Sequence, residues 1–277
     1  MRLFADDTLI YSTIESCNDA AKLQSDLTAL QEWAQKWQMK FNSRKCHVLR
    51  ISRKQNPVEY NYVLMGKVLD SVIHHPYLGV ELSRNLDWGQ QINNKVMKAN
   101  LSLGFLRRNL SSCPEGVKEA AYKAIVRFYV EYASSVWDPH LKKHIKQIEG
   151  VQRRAALFVK NCYTREPGTV TNLLNELKWI PLKKRRTILC LTFVHKAIHG
   201  DGGLVFPDYV MKRRRLLRNS SLNKFIELLP NTETYKSSYF CRTVKDWNAL
   251  PSEIVNIKSA DRFKKFLFEY FSQLMNF

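Results

Sequence analysis

Paired cysteines are missing from this chain. Its six cysteines, Cys17, Cys46, Cys113, Cys162, Cys190 and Cys241, are widely spread and none forms a Cys-x-x-Cys pair, so they read as reduced intracellular thiols. Long apolar runs are missing too: stretches such as Ile188 to Val194 fall far short of the roughly 20 residues a spanning helix needs. Met1-Arg2-Leu3 runs straight into a strand-like segment without a signal peptide, and a soluble nuclear or cytoplasmic protein that is not secreted is expected, with no membrane partner. The chain has no phosphate-cradling glycine-rich loop, no Ser–His–Asp or Cys–His group, no internal repeat and no low-complexity tract. His140 and His144, and His195 and His199, share i, i+4 spacing, but only Cys190 lies near either pair. They read as helix-surface histidines, and neither zinc nor an organic cofactor is expected. Acidic residues are scarce: 25 Asp and Glu face 44 Lys and Arg, for a formal net charge of +19. That excess favours a polyanionic partner, nucleic acid ahead of a membrane surface.

What is present suffices for a folded protein. With 277 residues and 45% hydrophobic content the chain can bury a full core in two or three domains. Near its start, Phe4-Ala5-Asp6-Asp7 sits between apolar β-formers and predicts strand, tight turn and strand, with the acidic pair at the apex. On a straight strand neighbouring side chains point to opposite faces, so only a turn lets both carboxylates approach one metal ion. Mg²⁺, or Mn²⁺ in its place, is the ion suggested, because Mg²⁺ is held by one or two carboxylates together with substrate phosphates.

The remaining pattern is read in order. Leu23, Leu27, Leu30, Ala34 and Trp37 predict an amphipathic helix from Ser16 to Met39, capped by Ser16 or Asn18. Val48-Leu49-Arg50-Ile51 reads as a strand, and Met65-Gly66-Lys67 as the bend of a hairpin between Tyr60–Leu64 and Val68-Leu69. Tyr77-Leu78-Gly79-Val80-Glu81-Leu82 reads as a strand with a glycine bulge. Asp87 caps a long helix with Ile92, Val96, Ala99, Leu103, Leu106 and Leu110 inward and Lys95, Lys98, Arg107 and Arg108 on another face. A second helix starts near Pro114 and runs through Val117, Ala121, Ala124, Phe128 and Tyr132 toward Trp137. A third spans roughly Leu141 to Cys162, with Leu141, Ile145, Ile148, Ala155 and Phe158 inward. Together the three predict a small antiparallel bundle.

Beyond it, Thr169 is expected to cap a short helix through Leu177, Pro181 to start another that Gly200 ends, and Ser259 to cap the last. Lys183-Lys184-Arg185-Arg186 lies at the first turns of the Pro181 helix, where its charge opposes the macrodipole unless an anion compensates it. A nucleic-acid contact would supply that anion. A second basic cluster, Lys212-Arg213-Arg214-Arg215 with Arg218, reads as a phosphate contact or a nuclear-localisation patch.

An aromatic residue, a small residue and two aspartates between strands resemble the catalytic hairpin of reverse transcriptases, and the likeness continues along the chain. Trp33, Trp37, Phe41-Asn42 and Lys45 resemble the segment that follows this hairpin in non-LTR retrotransposon polymerases. Glu131-Tyr132-Ala133-Ser134-Ser135-Val136-Trp137-Asp138-Pro139 and Val151-Gln152-Arg153-Arg154-Ala155-Ala156 resemble the thumb of jockey-like members. Trp179, Pro181, Leu182, Arg185, Arg186 and Trp247-Asn248-Ala249-Leu250-Pro251 resemble their C-terminal region.

The resemblance implies an α+β fold: part of a polymerase palm, made of β-hairpins and one helix, at 1–84, a helical thumb at 85–165 and a mostly helical domain at 166–277. It implies that Asp6 and Asp7 face metal, Asp6 as the ligand and Asp7 as auxiliary. Lys45 would lie by the triphosphate, Tyr77, Leu78, Gly79 and Val80 would grip the primer, and the thumb would hold an RNA template paired to a DNA primer. The earlier palm aspartate and the fingers are not in these residues, so a truncated polymerase, inactive alone and related to a missing upstream portion, is expected. A non-catalytic basic nucleic-acid-binding or scaffold protein is the alternative.

Overall fold

The computed structural model describes residues 1–52, 54–164, 166–200, 206–207, 209–210 and 224–273. The basic cluster at 212–218 lies outside them. The fold is α+β, about 55% helical with small two-stranded sheets, and divides into two compact units, Met1–Gln91 and Ile92–Phe277.

In the first unit β1 (Arg2–Phe4) and β2 (Asp7–Leu9) pair antiparallel with Phe4 opposite Asp7, leaving Ala5 and Asp6 as a two-residue turn. The helix that follows, α1 (Cys17–Lys36), is started by Ser16. The Asp19 carboxylate accepts the Ser16 N–H at 3.0 Å and the Ser16 Oγ accepts the Asp19 N–H at 3.4 Å, a reciprocal cap that satisfies two otherwise free donors. Hydrogen bonds from the Ser16 hydroxyl and nearby backbone hold the Asp19 carboxyl below its usual range.

Seven residues apart on α1, Gln24 and Gln31 reach the exposed edge of β4 (Val63–Leu64). Gln24 donates to Val63 O at 2.9 Å and accepts from Val63 N at 2.8 Å, while Gln31 accepts from Met65 N at 2.7 Å. Glutamine side chains thus stand in for a neighbouring strand and keep that edge from being left unpaired. β4 turns through Met65 and Gly66 into β5 (Lys67–Val68), and β3 (His47–Leu49) pairs parallel with β6 (Asp70–Val72). The expected single strand Tyr77–Leu82 is instead two strands. β7 (His74–Tyr77) and β8 (Val80–Ser83) are joined at Leu78 and Gly79, whose φ values of 47° and 75° are the paired positive angles of a tight hairpin turn. Glycine here makes a reversal, not a bulge.

α2 (Gly89–Asn109) begins in the last residues of the first unit and continues into the second; it buries Ile92, Ala99, Leu103 and Leu106 as the spacing predicts, and Asp87 accepts the Gly89 N–H at 2.6 Å. The next segment departs from expectation. α3 (Glu115–Ala121) passes through a π-helical turn at Tyr122–Val126 into α4 (Arg127–Glu131), and Ala133, at φ 50°, breaks the chain before α5 (Ser134–Trp137). The wider turn keeps a four-residue row, Lys118, Tyr122, Val126 and Val130, facing inward. Val117 and Phe128, read as part of the packed stripe, are 48% and 55% exposed. Tyr122 decides the face: its ring stacks on Trp179 at 4.5 Å and its hydroxyl donates to Gln152 at 3.3 Å.

α6 (Lys142–Val159) buries Ile148, Ala155 and Phe158, whereas Leu141 precedes the helix and is exposed. α7 (Thr169–Glu176) begins after Gly168, so Thr169 is its first residue and not its cap. α8 (Leu182–His199) follows Pro181 and ends at Gly200, φ 77°. α9 (Glu233–Lys236), α10 (Tyr239–Asn248), α11 (Ser252–Val255) and α12 (Ala260–Gln273) complete the chain, and Ser259 caps α12 through Arg262 N at 3.5 Å. Their core joins Ile188, Leu191, Val244, Trp247, Phe263 and Leu267. His195 and His144, expected on helix surfaces, are both buried: His195 stacks on Phe263 at 4.3 Å and bonds Ile257 O at 2.6 Å, and His144 bonds Gln147 at 2.9 Å.

Candidate catalytic hairpin and nucleic-acid interface

The hairpin gives the two aspartates different places. Asp6 occupies the turn and Asp7 the first position of β2, both in solvent, with Leu3 and Phe4 each 63% exposed beside them. Among the described residues no group of three or more His, Cys, Asp or Glu side chains is disposed to hold a metal ion. Two carboxylates alone therefore do not make a two-metal centre, which needs ligands that bridge both ions. Lys45 is exposed in the turn after α1, with its N–H donated to Asn42 O at 2.9 Å. At the β7–β8 turn Val80 is buried and Tyr77 and Leu78 half-buried, while Gly79 is exposed. The His75 ring lies 5.3 Å from that of His47; burial and His47 lower its pKa, while Glu81 and Asp7 draw it upward.

Charge divides unevenly between the units. Ile92–Phe277 carries 33 Lys and Arg against 15 Asp and Glu, and Met1–Gln91 carries 11 against 10. The cationic character thus belongs almost wholly to the helical unit.

On α2, Lys98 and Arg108 are exposed. Lys95 is half-buried with its ammonium 5.4 Å from the Tyr132 ring centre, and burial followed by Lys98 lowers its pKa. Arg107 donates to Arg154 O at 3.0 Å. Gln147 donates to Asn93 at 3.3 Å and Arg154 to Asn100 at 2.9 Å, so a polar ladder at seven-residue steps joins α2 to α6. The α6 residues Lys142, Lys143, Lys146 and Arg153 add exposed charge.

The run Lys183 to Arg186 behaves otherwise than expected. Its compensating anions are the protein's own carboxylates. Glu149 accepts Leu182 N at 3.1 Å and Lys183 N at 2.7 Å, capping α8. Glu131 takes a two-pronged bond from Arg185, which also lies 5.2 Å from the Phe268 ring. Asp138 accepts Arg186 Nε at 2.6 Å and also binds Arg242. Lys184 lies 4.8 Å from the Phe271 ring, and of the four only Lys183 is openly exposed. Arg186, at 0% exposure, is a structural cation out of reach of a phosphate chain.

Sequence comparison decides what this arrangement is related to. Over 175 residues, 60% of this chain and 19% of the relative, the sequence is 28% identical to the Probable RNA-directed DNA polymerase from transposon BS of Drosophila melanogaster. Over 157 residues, 54% and 17% of the two chains, it is 27% identical to the RNA-directed DNA polymerase from mobile element jockey of the same organism, and over 161 residues, again 54% and 17%, 29% identical to that of Drosophila funebris. Its homologues are the RNA-directed DNA polymerases of jockey-like and other non-LTR retrotransposons. The chain spans about a fifth of the length of these curated relatives. No family model and no solved structure matches it.

In this polymerase homologue the carboxylates that neutralise the α8 run carry no local signal in the sequence. Glu131 and Asp138 both lie in the stretch Glu131–Pro139. Their role is not local, because partners such as Glu131 and Arg185 are 54 residues apart. Among the described residues no helix is long and apolar enough to cross a membrane.

Proposed function

We propose that this chain is the nucleic-acid-holding part of a non-LTR retrotransposon RNA-directed DNA polymerase, with 1–84 derived from the palm, 85–165 from the thumb and 166–277 from the region beyond. The observation that carries the reading is the match over 175 residues to a polymerase. In the complete enzyme Asp6 is a ligand for Mg²⁺ or Mn²⁺ and Asp7 auxiliary, Lys45 lies toward the triphosphate, and Tyr77 to Val80 lie at the primer end. An RNA–DNA duplex is held by its phosphates on Lys95, Lys98, Arg107 and Arg108, without readout of base sequence. The exposed Lys98 and Arg108 support that assignment. For a chain whose described residues offer no third carboxylate to the aspartate hairpin, no primer extension alone is expected.

The test is binding of an RNA–DNA hybrid to the full chain as salt is raised. Log affinity should fall linearly with log salt, by about 0.7–0.9 for each phosphate neutralised, and unrelated sequences should bind alike. Binding that ignores salt, or its absence, refutes the reading. A non-catalytic nucleic-acid-binding protein is the second reading, favoured by the concentration of charge in the helical unit, which does not include the hairpin. Asp6→Asn separates the two: weakened Mn²⁺ binding supports the polymerase reading, and unchanged binding supports the second.

A further inference from the structure

The helical unit has an open groove of about 430 Å³ between α5, α8 and α10, within the range of roughly 300–1,000 Å³ typical of ligand clefts. Phe193, Phe206, Tyr239 and Phe240 supply its aromatic lining, with Val136 from α5 on one side. Phe193 is 44% exposed. Tyr209, also exposed, meets Phe240 edge-on with ring centres 5.9 Å apart and extends the aromatic surface beyond the groove.

The chemistry of the lining narrows the occupant. Among the described residues no acidic side chain lines the groove, and the unit's excess of 33 Lys and Arg over 15 Asp and Glu disfavours a cationic guest. The Tyr239 hydroxyl is engaged, donating to Cys190 O at 3.1 Å, which leaves Ser135 as the other side-chain hydroxyl among the described lining residues. A surface with aromatic faces and so few polar groups binds planar apolar faces by stacking and does not read hydrogen-bond patterns. Exposed cations flank it in sequence: Lys196 lies three residues after Phe193 on α8, and Lys236, whose ammonium pairs with Glu233 at 3.1 Å, lies three before Tyr239. Aromatic faces beside cations suit an unpaired nucleic-acid strand, whose bases stack while its phosphates meet the cations.

We propose that this groove binds single-stranded nucleic acid through unstacked bases, at a place apart from the α2 residues assigned to duplex. The proposal rests on the nucleic-acid-binding reading above. A proline-rich peptide also suits aromatic grooves, but it offers nothing to the surrounding positive charge.

The test compares a single-stranded RNA of about a dozen nucleotides, within the spans such surfaces cover, with a blunt RNA–DNA hybrid, both bound to the full chain. Phe193→Ala should weaken single-strand binding by about fivefold or more, the effect of losing a stacked base, and leave hybrid binding unchanged. Phe193→Trp should restore it. A 2-aminopurine base in the strand should be quenched by the native chain and not by Phe193→Ala. Lys98→Ala with Arg108→Ala should show the converse preference, weakening the hybrid more than the strand. Equal losses on both probes, no loss on either, or capture of a proline-rich peptide in place of RNA would overturn the proposal. Hybrid binding without single-strand binding overturns the groove alone, whereas binding of neither overturns the nucleic-acid reading with it.

Discussion

Replacing Asp138 by alanine tests the account of the basic helix most directly. The Asp138 side chain is 7% exposed and holds two guanidinium groups, Arg186 at 2.6 Å and Arg242 through its other oxygen. Arg186 is fully buried; it bonds Asp138 through Nε, and neither of its terminal nitrogens has a hydrogen-bond partner among the described residues. Its charge is therefore balanced chiefly by this one carboxylate. Removing one member of a buried pair leaves an uncompensated charge and costs about 3–5 kcal/mol. For a folding unit of this size each kcal/mol lowers Tm by roughly 2–4 °C, so the variant should melt about 6–20 °C lower. Calorimetry with urea unfolding of the full chain gives both quantities. Asp138→Ala combined with Arg186→Met should recover much of the loss, because the unpaired charge leaves with its partner. If Asp138→Ala costs less than about 1 kcal/mol, or the double variant is no more stable than the single, Arg186 is not held as argued.

Two further predictions concern stability. Burial, with Asp138 next, pushes the Cys190 thiol up to about 12 from an ordinary 9.0. Between those values the unfolded chain loses the thiol proton and the folded chain keeps it, so stability falls as pH rises above 9.0. Cys190→Ala should flatten that fall in urea titrations at several pH values, and the native thiol should resist alkylation at pH 8; an unchanged slope or rapid alkylation would contradict the burial argument. Ser16→Ala removes the α1 cap and should cost about 0.5–2 kcal/mol, with faster amide exchange confined to the first turn of that helix. Exchange that speeds up along all of α1 would show that the cap is not a local device.

Much of the helical frame was legible because its signals are local. Pro181 and Gly200 bound α8 through backbone geometry, and Ser16 and Asp19 start α1 within four residues. The stripe from Ile92 to Leu106 predicts the buried side of α2 from spacing alone. Two failures have one cause. The buried side of α3 and α4 depends on Tyr122 meeting Trp179, 57 positions on, and the turn at Leu78 and Gly79 depends on cross-strand pairing of β7 with β8. At the hairpin the pattern Phe4–Asp7 predicts the turn, but the pairing of Phe4 with Asp7 places only Asp6 within it.

The sequence by itself determined the positive charge, the positions of most helices, the acidic turn and the kinship with retrotransposon polymerases, because composition, periodicity and motif are properties of neighbouring residues. Tertiary structure decided which charges remain available. Lys98 and Arg108 stay in solvent, while Arg185 and Arg186 are taken up by Glu131 and Asp138 from 54 and 48 positions away. The physical reason is that a cation's availability is set by the carboxylates and rings that folding brings to it.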